Sequence, residues 1–308
     1  MLHYITWNVD PVLFNLGPLS VRWYGLLWAI AILTAWEIVK KIYKHEHRPD
    51  NWADKLFIYG TVGLIVGARL GHCLFYEWHL LDEPVTLLGI TFRYGNPYLS
   101  HPWKLLAIWQ GGLASHGGAI GLLIAMWLYN KKVTHTGYLY ILDRLVIGVA
   151  IGGACIRLGN LMNSEIYGGP TTLPWGFNFV RDYMWHIPLD QGGAGELPCH
   201  PTQIYEMIYC IVTFIIIWRM YWKTDAAKRP GLIFGVFLLG IFGTRFLLEF
   251  IKWDQEAFEA GMWLNMGQLL SVPFIVWGVW LIVKARKKPL PTTPPASTER
   301  ATLLTPHP

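Results

Sequence analysis

Three arginines stand out in a chain that is otherwise poor in charge. Only 15% of its residues are charged and 53% are hydrophobic. Arg69, Arg157 and Arg245 each fall near the end of a long apolar run. Each is followed by a glutamate: Glu77 and Glu165 eight residues on, Glu249 four residues on. An ionised group inside such a run is costly in lipid, so it pairs with a partner or faces a cavity. A single arginine near a helix end has a plainer reading, in which the side chain snorkels to the interface. Three at similar depth, each with a glutamate near, favour a buried polar network. Part of such a network is structural, and Arg69 suits that role better than Arg157 or Arg245. A guanidinium matches phosphate oxygens with paired, charge-assisted hydrogen bonds. In so apolar a chain the fitting phosphate is a phospholipid head group, which enters sideways between helices. That reading covers a lipid-modifying enzyme and a flippase alike.

A second candidate is His116, within Ser115-His116-Gly117-Gly118. Histidine is the usual general base near neutral pH. The flanking glycines let a backbone or a substrate come close. The competing reading is a packed histidine in a glycine-rich helix crossing, and residue chemistry alone leaves both open. Tyr24, Asn160, Asn163, Glu165, His200, Gln203, Tyr205 and Glu206 fall on the same side. For most of the tyrosines, Tyr24 included, a place in the interfacial aromatic belt is the plainer reading.

These residues need elements to hold them. A soluble domain carries about a quarter charged residues, so this composition points to lipid. A spanning helix takes about 20 mostly apolar residues. Seven stretches qualify: Val21–Val39, Leu56–Tyr76, Leu105–Tyr129, Leu145–Met162, Ile204–Trp222, Leu232–Ile251 and Met262–Val283. The third is interrupted by Gln110, Gly111 and Gly112, so its spanning part is expected from about Leu113. Gly60, Gly63, Gly67 and Gly71 in the second allow close helix packing. The expected fold class is therefore all-α, with seven transmembrane helices over residues 1–288.

Basic residues set the orientation. Lys40, Lys41, Lys44 and Arg48; Lys131 and Lys132; Lys223, Lys228 and Arg229; and Lys284, Arg286, Lys287 and Lys288 fall on one side of a seven-span chain. The loop with Asp254, Glu256 and Glu259 falls on the other. By the positive-inside rule the N-terminus is outside and the C-terminus cytoplasmic. Residues 163–203, rich in Gly, Pro and aromatics such as Trp175, Phe177, Tyr183 and Trp185, are expected to form an outward-facing cap between helices 4 and 5. Residues 289–308, rich in Pro and Thr, are expected to be a disordered cytoplasmic tail. Met1 to Pro18 lacks the basic n-region of a cleavable signal peptide. Cys73, Cys155, Cys199 and Cys210 match no metal spacing, so neither a metal nor a disulfide framework is expected. Basic residues form no face for nucleic acid.

The run from Arg157 to Gly168, Arg-Leu-Gly-Asn-Leu-Met-Asn-Ser-Glu-Ile-Tyr-Gly, resembles the defining motif of the prolipoprotein diacylglyceryl transferases. That family usually has Phe at the position of Leu161. Further similar stretches are Arg22 to Leu26, Gly111 to Gly118, His200 to Glu206 and Arg245 to Phe250, in family order. The resemblance implies transfer of the diacylglyceryl group of phosphatidylglycerol to the lipobox cysteine of a prolipoprotein signal peptide. Glycerol phosphate is released, no cofactor is needed, and the site lies in the cell inner membrane. It further implies that Arg157 and Arg245 hold the phosphate and that His116 is the base. Tyr24 and Asn160 would hold the head group, Glu165 and Glu249 would orient the arginines, and Gly168 is a further functional position. Some members have Tyr where this chain has Ile241, which removes one supporting hydroxyl. Two other classes are compatible with the residues alone: a transporter or flippase for an anionic lipid, and a non-catalytic scaffold.

Overall fold

The apolar runs fold as helices. The computed structural model describes residues 4–17, 19–75, 79–87, 90–95, 102–106, 114–181, 197–252 and 263–287. Its helices are α1 (Trp23–His45), α2 (Asn51–Phe75), α3 (Ser115–Tyr129), α4 (Tyr138–Met162), α5 (Thr202–Lys223), α6 (Leu232–Ile251) and α7 (Met266–Lys287). Among the described residues, α2, α4, α5, α6 and α7 are long and apolar enough to cross a membrane. α1 carries Glu37, Lys40, Lys41 and Lys44 in its second half. α3 has 15 residues, about 22 Å at about 1.5 Å per residue, short of a hydrocarbon core of about 30 Å. Its start at Ser115 lies close to the break expected near Leu113. Gln110 to Leu113, Glu77, Tyr183, Trp185, Asp254, Glu256, Glu259 and the 289–308 tail lie outside the described residues.

The all-α expectation needs one correction: the chain also forms three two-stranded sheets. β1 (Ile5–Trp7) pairs in parallel with β6 (Phe177–Phe179). β2 (Val12–Leu16) and β3 (Leu19–Arg22) form a hairpin, as do β4 (His79–Leu87) and β5 (Ile90–Gly95). These strands are too short for hydropathy windows to register. β3 takes Val21 and Arg22, so α1 starts two residues later than the apolar run. The β1–β6 pair joins segments about 170 residues apart, and local periodicity carries no trace of such pairing.

The chain divides into two units. One comprises residues 32–142. Within it, α2 lies backbone to backbone against α3. A methyl group on Gly71 would stand 2.7 Å from Gly117 Cα, and one on Gly121 would stand 2.7 Å from Gly67 Cα. Only hydrogen fits at such a crossing, the usual device for packing helices in lipid. Ala114 N–H donates to Ala68 O (2.9 Å). Arg69, 5% exposed, donates from Nε to Leu105 O (3.1 Å).

The other unit comprises residues 1–31 and 143–308. Its small aromatic core holds Leu161, Tyr167, Phe177, Phe179 and Cys199, with Trp7 packed on it. Tyr167 stacks on Phe179 at 4.5 Å. Trp7 Nε1 donates to Leu161 O (2.9 Å), tying β1 to the end of α4. Arg181 adds bonds to Asn8 Oδ1 (2.6 Å) and Asp10 Oδ2 (2.8 Å). The Val12 N–H and then Arg181 hold the Asp10 carboxyl below its ordinary range. At the opposite end of α4, buried Asp143 accepts from Gly231 N (2.7 Å) and Phe234 N (2.8 Å). It therefore caps α6 from a neighbouring helix, satisfying N–H groups that have no partner within α6 itself.

Candidate functional site

The Arg157–Gly168 segment begins as the last turns of α4 and ends in a hooked loop. Ser164 N–H donates to Leu161 O and Glu165 N–H to Asn160 O, with Ser164 at φ +56°. This is the left-handed helix stop usually made by glycine. Ile166 follows at φ +59°, rare for a β-branched residue. The strain persists because α5 grips the loop from outside. Gln203 Nε2 donates to Glu165 O (2.7 Å) and Thr202 Oγ1 to Ile166 O (3.0 Å). Such strain, about 1–3 kcal/mol per residue, concentrates at functional sites.

The hook turns Glu165 back over α4. Asn160 Nδ2 donates to Glu165 Oε1 (2.8 Å), and Asn163 Nδ2 donates to the same oxygen (3.2 Å). Arg157 donates from a terminal nitrogen to Asn160 Oδ1 (3.3 Å). Glu165 thus reaches Arg157 through Asn160. The carboxylate directly on Arg157 is Glu206 of α5, with Arg157 Nε 2.7 Å from Glu206 Oε2. The sequence marks Glu206 only as a polar residue at the head of an apolar run.

Arg245 depends on an irregular helix. α6 is α-helical to Leu238, widens to a π-turn over Leu239–Gly243, resumes over Thr244–Leu248 and tightens over Glu249–Ile251. A methyl on Gly240 would stand 2.8 Å from Thr213 Cγ2 of α5, so α5 presses against the wide turn. Thr244 Oγ1 donates to the carbonyls of Gly240 and Ile241, two acceptors at that turn. Ile241 supplies a carbonyl there and no hydroxyl. Beyond the turn, Arg245 Nε stands 3.4 Å from Glu249 Oε1.

Two further side chains complete the network, and sequence reading missed both. Lys252 Nζ stands 2.7 Å from Glu206 Oε1 and 3.4 Å from Glu249 Oε1. Its signal was local: it lies three residues past Glu249, on the same face of the tight turn. Asn265 Nδ2 donates to Glu249 Oε2 (3.3 Å). Asn265 and Gln268 form a reciprocal cap on α7, through Gln268 N–H to Asn265 Oδ1 (2.9 Å) and Asn265 N–H to Gln268 Oε1 (3.1 Å). An Asn followed three residues later by Gln before an apolar run is a readable helix start.

The site is layered. Side chains of Glu206, Glu249 and Lys252 are 0%, 1% and 3% exposed, while those of Arg157 and Arg245 are 21% and 28% exposed. Buried carboxylates and a lysine thus stand behind two arginines whose side chains are partly exposed. Each arginine meets its glutamate through Nε. Among the described residues the terminal nitrogens of Arg245 have no hydrogen bond, and those of Arg157 have one, to Asn160. That leaves donors for an oxyanion.

Tyr24, at the start of α1, lies against α4: a methyl on Gly159 would stand 2.8 Å from Tyr24 Cδ2. Gly168 sits where three backbone segments meet. Its N–H donates to His200 O (2.8 Å), and it forms a bridge with Lys252. His200 faces Tyr205 OH at 3.4 Å, and burial pushes its imidazole below the ordinary value. His116 belongs to the 32–142 unit, where it is the exposed second residue of α3. Tyr24, Arg157, Asn160, Glu165, Gly168, Arg245 and Glu249 are therefore gathered in one unit and His116 in the other. Among the described residues no group of His, Cys, Asp and Glu is arranged to hold a metal.

Comparison with known proteins bears on the same residues. A family model described as prolipoprotein diacylglyceryl transferase matches residues 11–284. A phosphatidylglycerol–prolipoprotein diacylglyceryl transferase of Porphyromonas gingivalis is 49% identical over 93% of this chain and 96% of its own. A protein of the same description from Tolumonas auensis is 40% identical over 92% of this chain and 98% of its own, and one from Bacteroides fragilis is 39% identical over 92% and 96%. With most of its length matched, gathered site included, the chain belongs to the prolipoprotein diacylglyceryl transferase family.

Proposed function

We propose that this protein transfers the diacylglyceryl group of phosphatidylglycerol to the lipobox cysteine of prolipoprotein signal peptides, releasing glycerol phosphate. The observation that carries the reading is the pair of partly exposed arginine side chains, Arg157 and Arg245, each backed by a buried glutamate. The substrate cysteine's sulfur attacks the glycerol carbon. A C–S bond forms, the C–O bond to phosphate breaks, and the electron pair stays on the phosphate. The leaving group gains a negative charge as this happens. Arg157 and Arg245 are held ready to receive it, and such preorganised donors are worth about 3–4 kcal/mol each. Asn160, fixed by Glu165, and Tyr24 line the head-group side. His116 takes the thiol proton, which makes the thiolate the attacking species. The chemistry described needs no cofactor.

The same reading sets the protein in the cell inner membrane. It has seven spans over residues 1–288, the N-terminus outside and the C-terminus cytoplasmic, with residues 163–203 as the periplasmic cap. The basic residues in the last turns of α1, α5 and α7 and just after α3 support this orientation. Neither the geometry nor the relatives favour the transporter alternative.

The test uses purified protein in detergent, phosphatidylglycerol and a synthetic lipobox peptide, read by mass spectrometry. The peptide is expected to gain one diacylglyceryl group. The gain disappears with Arg157→Ala and with a Cys→Ser peptide. Folded, lipid-bound protein that leaves the peptide unmodified would overturn the proposal.

A further inference from the structure

Lys252 has no place in the phosphate chemistry just described, yet it is among the best-buried charges in the site. It completes an alternating row: Arg157, Glu206, Lys252, Glu249, Arg245. Glu206 presents its two oxygens to different cations, Oε2 to Arg157 Nε and Oε1 to Lys252 Nζ, both at 2.7 Å. Glu249 is similarly divided. Its Oε2 accepts from Asn265 (3.3 Å), and its Oε1 lies between Arg245 Nε and Lys252 Nζ, 3.4 Å from each. A carboxylate with both oxygens available grips a guanidinium fork to fork, through two parallel hydrogen bonds. Burial strengthens that tendency, because a buried carboxylate lacking other partners carries a large desolvation cost.

We propose that Lys252 is a positioning residue that keeps Glu206 and Glu249 from clamping the arginines. By occupying the second oxygen of Glu206 and sharing Oε1 of Glu249, it leaves each glutamate in ion-pair contact at Nε without a two-bond clamp. The terminal nitrogens then stay directed to the phosphate. This inference rests on the reading of Arg157 and Arg245 as phosphate holders.

A lysine that only braces the fold makes a different forecast, and a double substitution separates the two. With Lys252→Met, Glu206 is released to clamp Arg157. Turnover is expected to fall about 10²-fold, the scale of a misplacement near 1 Å at a reacting centre, and KM for phosphatidylglycerol to rise. Adding Glu206→Gln removes the clamp, because an amide offers one acceptor oxygen beside an N–H₂ donor and cannot grip a guanidinium fork to fork. Lys252→Met/Glu206→Gln is expected to recover about tenfold or more over Lys252→Met, a non-additivity typical of groups acting as a unit. Lys252→Arg keeps the charge and is expected to stay within about fivefold of the parent, or about 1 kcal/mol.

The assay is transfer to a lipobox peptide from phosphatidylglycerol, with thermal unfolding recorded for every variant. If Lys252→Met does not accumulate folded, Lys252→Gln takes its place in both the single and the double variant. A double variant no more active than the single one overturns the proposal. Full activity in Arg157→Ala overturns the phosphate reading beneath it, so the two failures are distinct.

Discussion

Gly168→Ala changes one hydrogen to a methyl and is expected to disable the site. The glycine is not at positive φ, so alanine suits the backbone and space alone is at issue. The new Cβ would stand 2.7 Å from Ile251 O, 2.7 Å from Thr202 Cγ2 and 2.9 Å from His200 Cβ. Ordinary contact is about 3.5 Å, so the walls must retreat by about 0.6–0.8 Å. Each wall is tied down. His200 accepts from Gly168 N, Ile251 O accepts from Gly169 N (2.9 Å), and Thr202 holds Ile166. If the Ile251 wall moves, Lys252 moves with it and leaves Glu206. Overpacking of this kind costs about 1–3 kcal/mol of stability, and a displacement approaching 1 Å at the charged row costs about 10²-fold in rate. The assay pairs kcat/KM for peptide lipidation with the unfolding temperature in detergent. A folded Gly168→Ala enzyme within about threefold of the parent, a difference of under about 1 kcal/mol, would refute the claim that this junction positions the site.

Two further outcomes are expected, at Ser164 and at Asp10. Ser164→Gly relieves a left-handed serine whose buried hydroxyl has no partner among the described residues. Stability is expected to rise by about 0.5–1 kcal/mol, visible as a shift in unfolding temperature, and an unchanged or lower temperature would contradict the strain assignment. The Asp10 carboxyl is depressed in the folded state, so its clip to Val12 and Arg181 contributes fully above the ordinary carboxyl value of 3.8 and is lost as pH falls below it. Exchange of the Val12 amide, corrected for intrinsic rate, should therefore be flat from about pH 7 to 5 and rise only below about pH 4. A rise near pH 6 would point to a different group.

Much of this arrangement is legible in the sequence where the signal is local. The glycines at 63, 67 and 71 foretell the close contact between α2 and α3, because spacing along a helix decides which residues share a face. Glu249 lies one turn past Arg245, so their pairing is readable too. What escapes is the partnership between segments. Glu206 lies 49 residues after Arg157 and 46 before Lys252, and no periodicity connects them. The near pair, Arg157 and Glu165, proves indirect because the left-handed stop at Ser164 turns the glutamate onto Asn160. The sheets are missed for a similar reason: β1 finds its partner across most of the chain. Lys252 is hidden by its surroundings, since beside Asp254 and Glu256 it reads as one more loop charge.

The wide turn in α6 has a consequence for how this stretch tolerates insertions and deletions. A π-turn absorbs one more residue than the α-helical turn it replaces, with little change in the direction of the helix beyond it. Deleting one residue between 239 and 243 should restore a regular helix and leave Arg245 on the side it now occupies. The same deletion within Leu232–Leu238, where the helix is already regular, would swing everything beyond it by about 100°. Arg245, Glu249 and Lys252 would then turn together, away from Glu206. The helix thus carries a one-residue slack just before Arg245, and length changes within and ahead of that turn are not equivalent.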